Sequence, residues 1–383
     1  MKLERVDAAD ARAVLRGLRG AVLGAGPAIA LGAPSGSGDA LPAEVPAGTA
    51  VVVTTSGSSG YPKAVALSRS ALTASALATS ARIGEGAWLL ALPPGYIAGV
   101  QVLVRALVAG REPALLSGPF RTAGFVAAAS SMASSHGGRP VPTYTSLVPA
   151  QLQTLLDAPD PAARRALAGF SAVLVGGQAL APALAARAAD AGVRIVRTYG
   201  SSETAGGCVY DGVPLDGVGV RIDDGEVLLS GPTLADGYLG DAARTDAAFF
   251  RDAAGTRWYR TGDAGAFDGR LAITGRRDNV IISGGINVAL DRVERVVRTL
   301  PGLVDAVVVP VPDERWGEAS VVVVPAGAGD ADDALRGIRA AVEAEIGAPA
   351  RPRAVVPVAA IPLLPSGKPD RAALRRLAAD AGA

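Results

Sequence analysis

The stretch VVVTTSGSSGYPKAVALSRSAL, residues 51–72, decides the fold and raises the first functional question. Its β-branched run predicts a buried strand, and the small residues after Pro62 predict a helix. Between them, glycines would let backbone N–H groups approach an anion, hydroxyls would add donors and Lys63 would add positive charge. The stretch therefore predicts a phosphate-binding loop, and a plain surface loop of the same composition is the alternative.

Two common catalytic designs are excluded by the residues themselves. The loop is not a Walker A motif, because Gly60 is followed by Tyr-Pro-Lys and not by Lys-Ser/Thr. No G-x-S-x-G elbow is present for a Ser-His-Asp hydrolase, and His136 is the only histidine. Cys208 is the only cysteine, so an internal disulfide and a Cys/His zinc cluster are excluded as well.

Composition predicts a globular protein without a charged surface for nucleic acid. Of the 383 residues, 49% are hydrophobic and 19% are charged, and the formal net charge is +1. The first twenty residues carry charges of both signs, which argues against a signal peptide. The long uncharged run at 87–104 contains Pro93-Pro94-Gly95 and predicts strand, turn and helix, not a membrane span. We therefore expect a cytoplasmic protein with no membrane or nucleic-acid partner.

The order of apolar runs predicts an α/β fold in two domains. Residues 1–20 predict a helix, and strand-like runs then alternate with helical ones up to about residue 200, which indicates layered, mostly parallel sheets. Short strands with glycine-rich turns follow over 213–275. We expect a large N-terminal domain, 1–277, that includes this β-rich part, and a small mobile α+β C-terminal domain, 278–383.

The string TTSGSSGYPKAV, 54–65, resembles the phosphate-loop signature of the adenylate-forming superfamily of acyl-CoA synthetases, luciferases and peptide-synthetase adenylation domains. Ser59 keeps the usual hydroxyl, and Ala64 replaces the usual glycine. Four further resemblances follow in the family's order: RTYGSSETAG (197–206), YRTGDAG (259–265), GRRDNVIISGGINV (275–288) and PLLPSGKPDR (362–371). Each string alone is typical of a helix start, a turn or a solvated lysine, but five in order identify the superfamily.

The resemblance implies a role for each matched residue. Tyr199 would stack on adenine, Asp263 would bind the ribose, Glu203 would hold Mg²⁺, Asp278 would be the hinge and Lys368 would be catalytic together with Glu203. Thr204 would bond a phosphate, Arg276 would contact ribose or phosphate, and GGQAL (176–180) would end a strand at the adenine and acyl pocket. The implied ATP-binding set is Thr54, Thr55, Ser56, Gly57, Ser58, Ser59, Gly60, Lys63, Gly177, Tyr199, Gly200, Ser201, Thr204, Asp263 and Arg276.

The resemblance also implies two half-reactions, with ATP, Mg²⁺ and coenzyme A as cofactors or co-substrates. A carboxylate attacks the α-phosphate of ATP to give an acyl-adenylate, and the thiol of coenzyme A then displaces AMP. Positioning and charge neutralisation suffice for the first step, because a carboxylate is already a nucleophile at neutral pH. Rotation of the C-terminal domain about Asp278 would bring Lys368 in for the first step and withdraw it for the second.

Two departures from the superfamily pattern stand out. The phosphate loop begins about 50 residues from the first residue of this chain, whereas most members have a much longer segment before it. Tyr96, in LPPGYIAGVQ, occupies the position of a histidine that often lines the acyl tunnel. Tyr96 is therefore either an aromatic gate to the acid or a tyrosine packed beside a Pro-Pro-Gly turn.

The short N-terminal segment and the residue patterns of 88–110 and 144–156 resemble those of the short, actinobacterial-type o-succinylbenzoate–CoA ligases of menaquinone biosynthesis. The predicted substrate pocket consists of Tyr96, Thr145, Ser146, Gly176 and Ser202. For the carboxylate that does not react, the candidate donors also include Gln151 and Ser201, and the candidate cations are Arg105 and His136. Another acyl- or aryl-CoA ligase and a non-catalytic nucleotide-binding relative are the alternatives, and the resemblance raises the expectation of a homodimer.

Overall fold

The computed structural model describes residues 1–32, 41–56, 62–132, 135–283, 285–313, 316–327, 331–364 and 367–382. The chain divides into two compact units, which are described separately. The first unit is Met1–Arg221, Leu228–Thr261 and Asp268–Leu271, and the second is Ile222–Val227, Gly262–Phe267 and Ala272–Ala383.

The described residues form both helices and strands along the whole chain. The helices are α1 Ala11–Leu23, α2 Arg69–Ile83, α3 Ile97–Val108, α4 Thr122–Ser130, α5 Pro149–Asp157, α6 Pro161–Ala168, α7 Pro182–Asp190, α8 Ala242–Ala248, α9 Leu290–Val297, α10 Ala331–Glu345 and α11 Arg371–Asp380. The strands are β1 Leu3–Val6, β2 Ala28–Leu31, β3 Thr49–Ser56, β4 Pro62–Ser68, β5 Ala87–Leu90, β6 Ala114–Leu115, β7 Ser135–His136, β8 Arg139–Pro140, β9 Thr143–Leu147, β10 Ala172–Val175, β11 Ile195–Ser201, β12 Gly206–Tyr210, β13 Val213–Pro214, β14 Gly219–Asp223, β15 Glu226–Ser230, β16 Gly237–Tyr238, β17 Phe249–Arg251, β18 Arg257–Phe267, β19 Leu271–Arg276, β20 Val280–Ser283, β21 Ile286–Ala289, β22 Val307–Asp313, β23 Gly317–Pro325 and β24 Ala354–Val358.

The first unit is built on two sheets. One has the order β1-β2-β3-β4-β16, in which β1, β2 and β3 are parallel and the next two pairings are antiparallel. The other has the order β13-β12-β11-β10-β9-β5-β6, in which the strands from β11 to β6 are parallel. Because the strand ends of a parallel sheet share one edge, the segments after β10 and β11 lie side by side.

Helices fill the space between the two sheets of the first unit. One core joins α1, α2 and α3 to both sheets, with fully buried Val51, Leu72 and Val102 among its members. A second core packs α5, α6 and α7 on the opposite face of the seven-stranded sheet, around residues such as Leu155 and Val173. The central strands β5, β9 and β10 of that sheet are buried on both faces, which explains their apolar character.

The decisive stretch folds differently from the sequence-based expectation after Pro62. A helix is expected there, but Pro62–Ser68 form strand β4, which pairs antiparallel with β3, and the helix α2 begins only at Arg69. Proline is tolerated as the first residue of a strand, and Val65 and Leu67 are both fully buried. The helix prediction is therefore wrong for 62–68, and the loop joins two antiparallel strands.

The beginning of the chain also differs from its prediction. A helix is expected over residues 1–20, but β1 comes first because its parallel pairing with β2 buries Leu3. The helix α1 begins after Asp10, whose carboxylate accepts hydrogen bonds from the N–H groups of Arg12 and Ala13. The prediction thus holds only for the part after residue 10.

Short strands follow residue 213, as the sequence predicts. They form a sheet of order β14-β15-β18-β17, with β19 beside β18. The division between the units passes through β14, β15 and β18. In the first unit, β17 pairs antiparallel with residues 257–259 of β18.

The second unit contains a sheet of order β21-β20-β23-β22, with β24 parallel to β23. Helices α9 and α10 cover the face that includes Val322 and Val324. Helix α11 covers the face that includes Val321 and Val323. Successive valines of β23 therefore enter two different cores, which explains the run of four valines in this strand.

Candidate active site

The hairpin of β3 and β4 positions the base of the predicted phosphate loop. Thr55 lies opposite Lys63 in the register, and the hydroxyl of Thr54 donates a hydrogen bond to the carbonyl of Gly32 at 3.4 Å. The predicted loop residues Gly57, Ser58, Ser59 and Gly60, and the side chain of Ser56, lie outside the described residues. The described part of the loop therefore contributes the lysine at its C-terminal end.

A tight turn at the end of β11 carries Glu203. Ser202–Thr204 form a single 3₁₀ turn, and the buried hydroxyl of Thr204 accepts from the N–H of Ser201 at 2.9 Å. The same hydroxyl lies 2.7 Å from the carbonyl oxygen of Gly206. A side chain at Gly200 would clash with that carbonyl, so the close return of the chain requires glycine. Thr204 thus holds the shape of the turn in this structure.

Glu203 is buried, with 7% of its surface exposed, and it has two polar neighbours from distant parts of the first unit. The hydroxyl of Tyr238 donates to Oε1 of Glu203 at 2.9 Å. Nζ of Lys63 lies 4.0 Å from the same oxygen and 5.3 Å from the centre of the Tyr238 ring. The structure therefore brings together Lys63 and Glu203, which the sequence predicts for one site.

The surroundings of Tyr238 keep its phenol neutral. Burial and the negative charge of Glu203 raise the pKa of Tyr238 above its usual value. The phenol therefore stays protonated at neutral pH and remains a donor to Glu203. Sequence reasoning missed Tyr238, although its place in the short string GYLG, 237–240, marked it as an aromatic residue among glycines.

The ends of β10 and β11 present further predicted residues at one edge of the sheet. Gly176 follows β10, and a side chain there would clash with the hydroxyl of Thr198 on the neighbouring strand. Tyr199 is half-buried in β11, and Oγ of Ser201 is buried without a hydrogen-bond partner among the described residues. A free hydroxyl of this kind is suited to a bound ligand.

Two predicted substrate residues, Thr145 on β9 and Gln151 on α5, are used by the fold itself. The hydroxyl of Thr145 is fully buried and donates to the carbonyl of Leu89 on β5 at 3.0 Å. The amide of Gln151 caps its helix through the N–H of Val148 and donates to the carbonyl of Ala91, just after β5, at 3.0 Å. Both side chains therefore have a structural role.

The helix α3 lays a stripe of two buried polar side chains, Gln101 and Arg105, against β12. They are one turn apart, and Gln101 lies against Gly206, beside the turn that carries Glu203. Tyr96 precedes the helix and is half-buried, and burial raises its pKa above the usual value. Oε1 of Gln101 has no hydrogen-bond partner within the described residues.

Arg105 is an unusual residue in this stripe, because only 4% of it is exposed. Its Nη2 donates to the hydroxyl of Tyr210 at 3.2 Å, and its guanidinium lies 5.0 Å from the centre of the Trp88 ring. In the part of the chain that the structure describes, it has no carboxylate partner, and its Nε is buried without a hydrogen bond. Buried charges are normally paired, so this guanidinium is suited to an anion from outside the chain.

The second unit brings together three other predicted residues. The guanidinium of Arg276 forms a fork with both carboxylate oxygens of Asp278, at 2.9 Å each, and its Nη1 lies 3.1 Å from Oδ1 of Asp263. The N–H of Arg276 also donates to Asp291 at 2.6 Å. The hydrogen bonds with Asp278, together with the charges of both aspartates, raise the pKa of Arg276. Asp278 lies in the turn between β19 and β20, inside the second unit.

Lys368 is exposed on a turn of the second unit that is fixed on both sides. The N–H of Leu364 donates to the carbonyl of Lys368 at 2.7 Å, and Gly367 adopts a positive φ of 79° within the turn. Immediately afterwards, Asp370 caps α11, and Arg371 donates to the buried carboxylate of Glu294 at 2.8 Å. The backbone around the predicted catalytic lysine is therefore well supported.

Glu203 is the candidate metal ligand of the first unit. Within the described residues, no group of three or more His, Cys, Asp or Glu side chains could hold a metal ion. Mg²⁺ bound with a nucleotide needs only one or two carboxylates, because phosphates and water supply the other ligands. With Oε1 engaged by Tyr238, Oε2 of Glu203 accepts no hydrogen bond from the described residues, so this carboxylate fits Mg²⁺ in a nucleotide complex.

Comparison with known proteins gives two family matches along the chain. Residues 23–239 match the family of AMP-binding enzymes, and residues 292–368 match the AMP-binding enzyme C-terminal domain. A probable 2-succinylbenzoate–CoA ligase of Mycobacterium tuberculosis is 42% identical over 341 residues, which are 87% of this chain and 85% of that protein. The chain therefore belongs to the AMP-binding enzyme family, and the superfamily predicted from the five motifs is confirmed.

Solved structures support the same assignment. The amide bond synthetase McbA from Marinactinospora thermotolerans is 29% identical, with a TM-score of 0.73, and the match covers 91% of this chain and 75% of that one. An Escherichia coli MenE variant with bound OSB-AMS is 27% identical, with a TM-score of 0.68, and the match covers 89% of this chain and 71% of that one. The α/β fold class predicted from the sequence is confirmed. Among the residues that the structure describes, none of the helices has the length and apolar character needed to cross a bilayer.

Proposed function

We propose that this chain is an AMP-forming 2-succinylbenzoate–CoA ligase of menaquinone biosynthesis. It would convert 2-succinylbenzoate, also called o-succinylbenzoate, to its coenzyme A thioester. The observation that carries the proposal is the 42% identity to the Mycobacterium tuberculosis protein, which extends over most of both chains. The geometry supports it, because the described residues bring Lys63 to Glu203 in the first unit and Arg276 to Asp263 in the second.

ATP would bind in the first unit at the ends of β10 and β11, beside the hairpin of β3 and β4. The loop 54–60, Lys63 and Ser201 would donate to the phosphates, and Tyr199, Gly176 and Gly177 would form the adenine side. Mg²⁺, when bound between Glu203 and the phosphates, would neutralise part of their charge. Thr204 would hold the turn that presents Glu203, and its hydroxyl would reach a phosphate only if the hydrogen bond to Gly206 were broken.

The second unit would supply the ribose contact and the catalytic lysine. Asp263 would accept hydrogen bonds from the ribose hydroxyls, while Arg276 holds that carboxylate in place. Lys368 would bridge the acid carboxylate and the α-phosphate as negative charge develops there. We further propose the division into domains 1–277 and 278–383 with Asp278 as hinge, a cytoplasmic location and a homodimer.

The acid would lie along the polar stripe of α3. Its reacting carboxylate would face the α-phosphate, and Tyr96 and Ser202 would border the aromatic ring. Arg105 would then bind the second carboxylate, because a buried guanidinium with only neutral partners gains most from a negative charge. Ser146 remains a candidate donor on β9, and the side chain of His136 lies outside the described residues.

An exchange assay tests this proposal. The protein is mixed with ATP, Mg²⁺, labelled pyrophosphate and one acid from a panel of o-succinylbenzoate, benzoate, acetate, a medium-chain fatty acid and amino acids. Exchange should be fastest with o-succinylbenzoate, and addition of coenzyme A should give the thioester by mass. Exchange with another acid alone would retain the ligase mechanism and contradict the substrate.

A second acceptor is suggested by the similarity to McbA, which is an amide bond synthetase. An acyl-adenylate is open to attack by an amine as well as by a thiol, so the first half-reaction would be the same. The same assay separates the two functions when coenzyme A is replaced by a panel of amines. Amide formation without thioester formation would favour this second function.

A further inference from the structure

The buried surroundings of Glu203 contain more than the contact that the proposed function uses. Tyr238 and Tyr259 come from different strands, β16 and β18, and both are buried, with 6% of each exposed. Phe249 lies between them, with ring centres 6.0 Å from Tyr238 and 5.0 Å from Tyr259. The three rings form one packed aromatic group behind the carboxylate.

One hydroxyl of this aromatic group reaches Glu203. Tyr238 donates to Oε1 of Glu203 at 2.9 Å. Phe249 packs against the rings of both Tyr238 and Tyr259, so the ring that carries this hydroxyl is held by its aromatic neighbours.

The backbone locks Tyr238 to the turn that carries Glu203. The N–H of Ala235 donates to the carbonyl of Glu203 at 2.8 Å, and the N–H of Tyr238 donates to Oγ1 of Thr245 at 2.9 Å. Tyr238 is also paired with Val65 on β4, so Lys63, two residues away on the same face, lies over its ring. The tyrosine thus contacts the predicted phosphate lysine and the predicted metal carboxylate at once.

We propose that Tyr238 is a positioning residue that fixes the carboxylate of Glu203 for Mg²⁺ binding. The hydroxyl of Tyr238 occupies Oε1, which leaves Oε2 as the oxygen for the metal and sets the plane of the carboxylate. Ligating carboxylates depend on such hydrogen bonds, and loss of one costs about 10- to 100-fold in metal affinity or activity. This inference rests on the proposed role of Glu203 and adds a residue, Tyr238, that lies outside the five motifs.

The experiment measures ATP binding by calorimetry at rising Mg²⁺ concentration, with no acid and no coenzyme A. Tyr238→Phe removes one oxygen and keeps the aromatic packing. We expect the Mg²⁺ concentration for half-maximal ATP binding to rise about 10- to 100-fold in this variant, while ATP binding in EDTA is unchanged. In pyrophosphate exchange, saturating Mg²⁺ should restore most of the rate, and the KM for the acid should stay the same.

Tyr144→Phe is the matched control, because it also removes a buried phenol, which donates to the carbonyl of Ile83 at 2.6 Å. It should lower the unfolding temperature and leave the Mg²⁺ midpoint unchanged. A folded Tyr238→Phe protein with the wild-type midpoint would overturn the proposal. If Tyr238→Phe does not fold, Phe249→Leu decides, because it loosens the packing behind Tyr238 and keeps its hydroxyl. A raised midpoint supports the positioning role of Tyr238, and an unchanged one contradicts it.

This design separates the inference from the proposed function. A shifted Mg²⁺ midpoint would stand even if o-succinylbenzoate gave no exchange, because the binding assay contains neither acid nor coenzyme A. An unshifted midpoint would remove the role of Tyr238 while the ligase activity remained. The two failures therefore give different results.

Discussion

The carboxylate of Glu203 in the first unit and the carboxylates around Arg276 in the second unit are held by opposite means. Glu203 has 9% of its side chain exposed and is bound by a neutral phenol, with a lysine at 4.0 Å. Arg276 and Asp278 have 41% and 51% of their side chains exposed and are bound by a charged fork. One cluster is buried and sparsely charged, whereas the other is solvated and densely charged.

The difference indicates how each cluster can be used. A buried hydrogen bond is screened far less by salt than an exposed pair, and it fixes a carboxylate before any ligand arrives. Exposed ion pairs are worth only about 0–1 kcal/mol and are screened by salt, so they are broken and formed again at little cost. The first cluster therefore suits a permanent phosphate and metal site, and the second suits a segment that changes partners during the reaction.

The largest effect is expected at Lys368, the proposed catalytic lysine of the first half-reaction. Lys368→Ala should lower pyrophosphate exchange about 10²- to 10³-fold, because a single donor to the developing charge is lost. Thioester formation from supplied acyl-adenylate and coenzyme A should be retained. Equal loss in both half-reactions, measured separately, would contradict the assignment of this lysine to the first step alone.

An intermediate effect is expected from the buried cation of the first unit. Arg105→Lys keeps the charge but loses the planar fork, so the KM for o-succinylbenzoate should rise about 10- to 100-fold, as for the loss of a charged hydrogen bond. Benzoate, which has no second carboxylate, is the control acid, and its exchange should not change. If both acids lost activity together, Arg105 would have a structural role only.

The smallest effect is expected from the exposed cluster. Arg276→Lys should raise the KM for ATP at most about five-fold at low salt, since exposed pairs contribute up to about 1 kcal/mol. The difference from wild type should shrink in 0.5 M salt, at which the Debye length is only several ångströms. Arg277→Lys is the matched control, because that arginine pairs with Asp224 and Glu226 instead. If the KM for ATP of Arg276→Lys stayed equally raised at high salt, the contacts of Arg276 would behave like the buried hydrogen bond of Glu203, which would contradict this comparison.

Much of the fold could be predicted because its strands carry their own signal. The apolar runs of β3, β10 and β23 are buried on both faces, as continuous runs of β-branched residues predict for the inner strands of a sheet. The residues after Pro62 gave the wrong element because Ala and Ser are compatible with both states, and pairing with β3 and β16 decided for a strand. The propensities of the individual residues carry no information about this strand pairing.

The candidate site could be predicted only in its ordered motifs. Glu203, Asp263, Arg276 and Lys368 stand in strings that resemble a family, and the structure brings Asp263 and Arg276 together. Tyr238 lies outside all five strings, 35 positions after Glu203, and only the antiparallel pairing of β16 with β4 brings it to the carboxylate. Thr145 and Gln151 were predicted for the substrate, but their hydrogen bonds to the neighbouring strand could not be seen in the sequence.

The measurement that tests the central claim most directly is a single-turnover reaction of the protein with ATP, Mg²⁺ and o-succinylbenzoate, first without coenzyme A. The account predicts that the acyl-adenylate accumulates to about one equivalent per site and that added coenzyme A converts it to the thioester with release of AMP. ATP cleavage without an acyl-adenylate, or an adenylate of benzoate but not of o-succinylbenzoate, would contradict it.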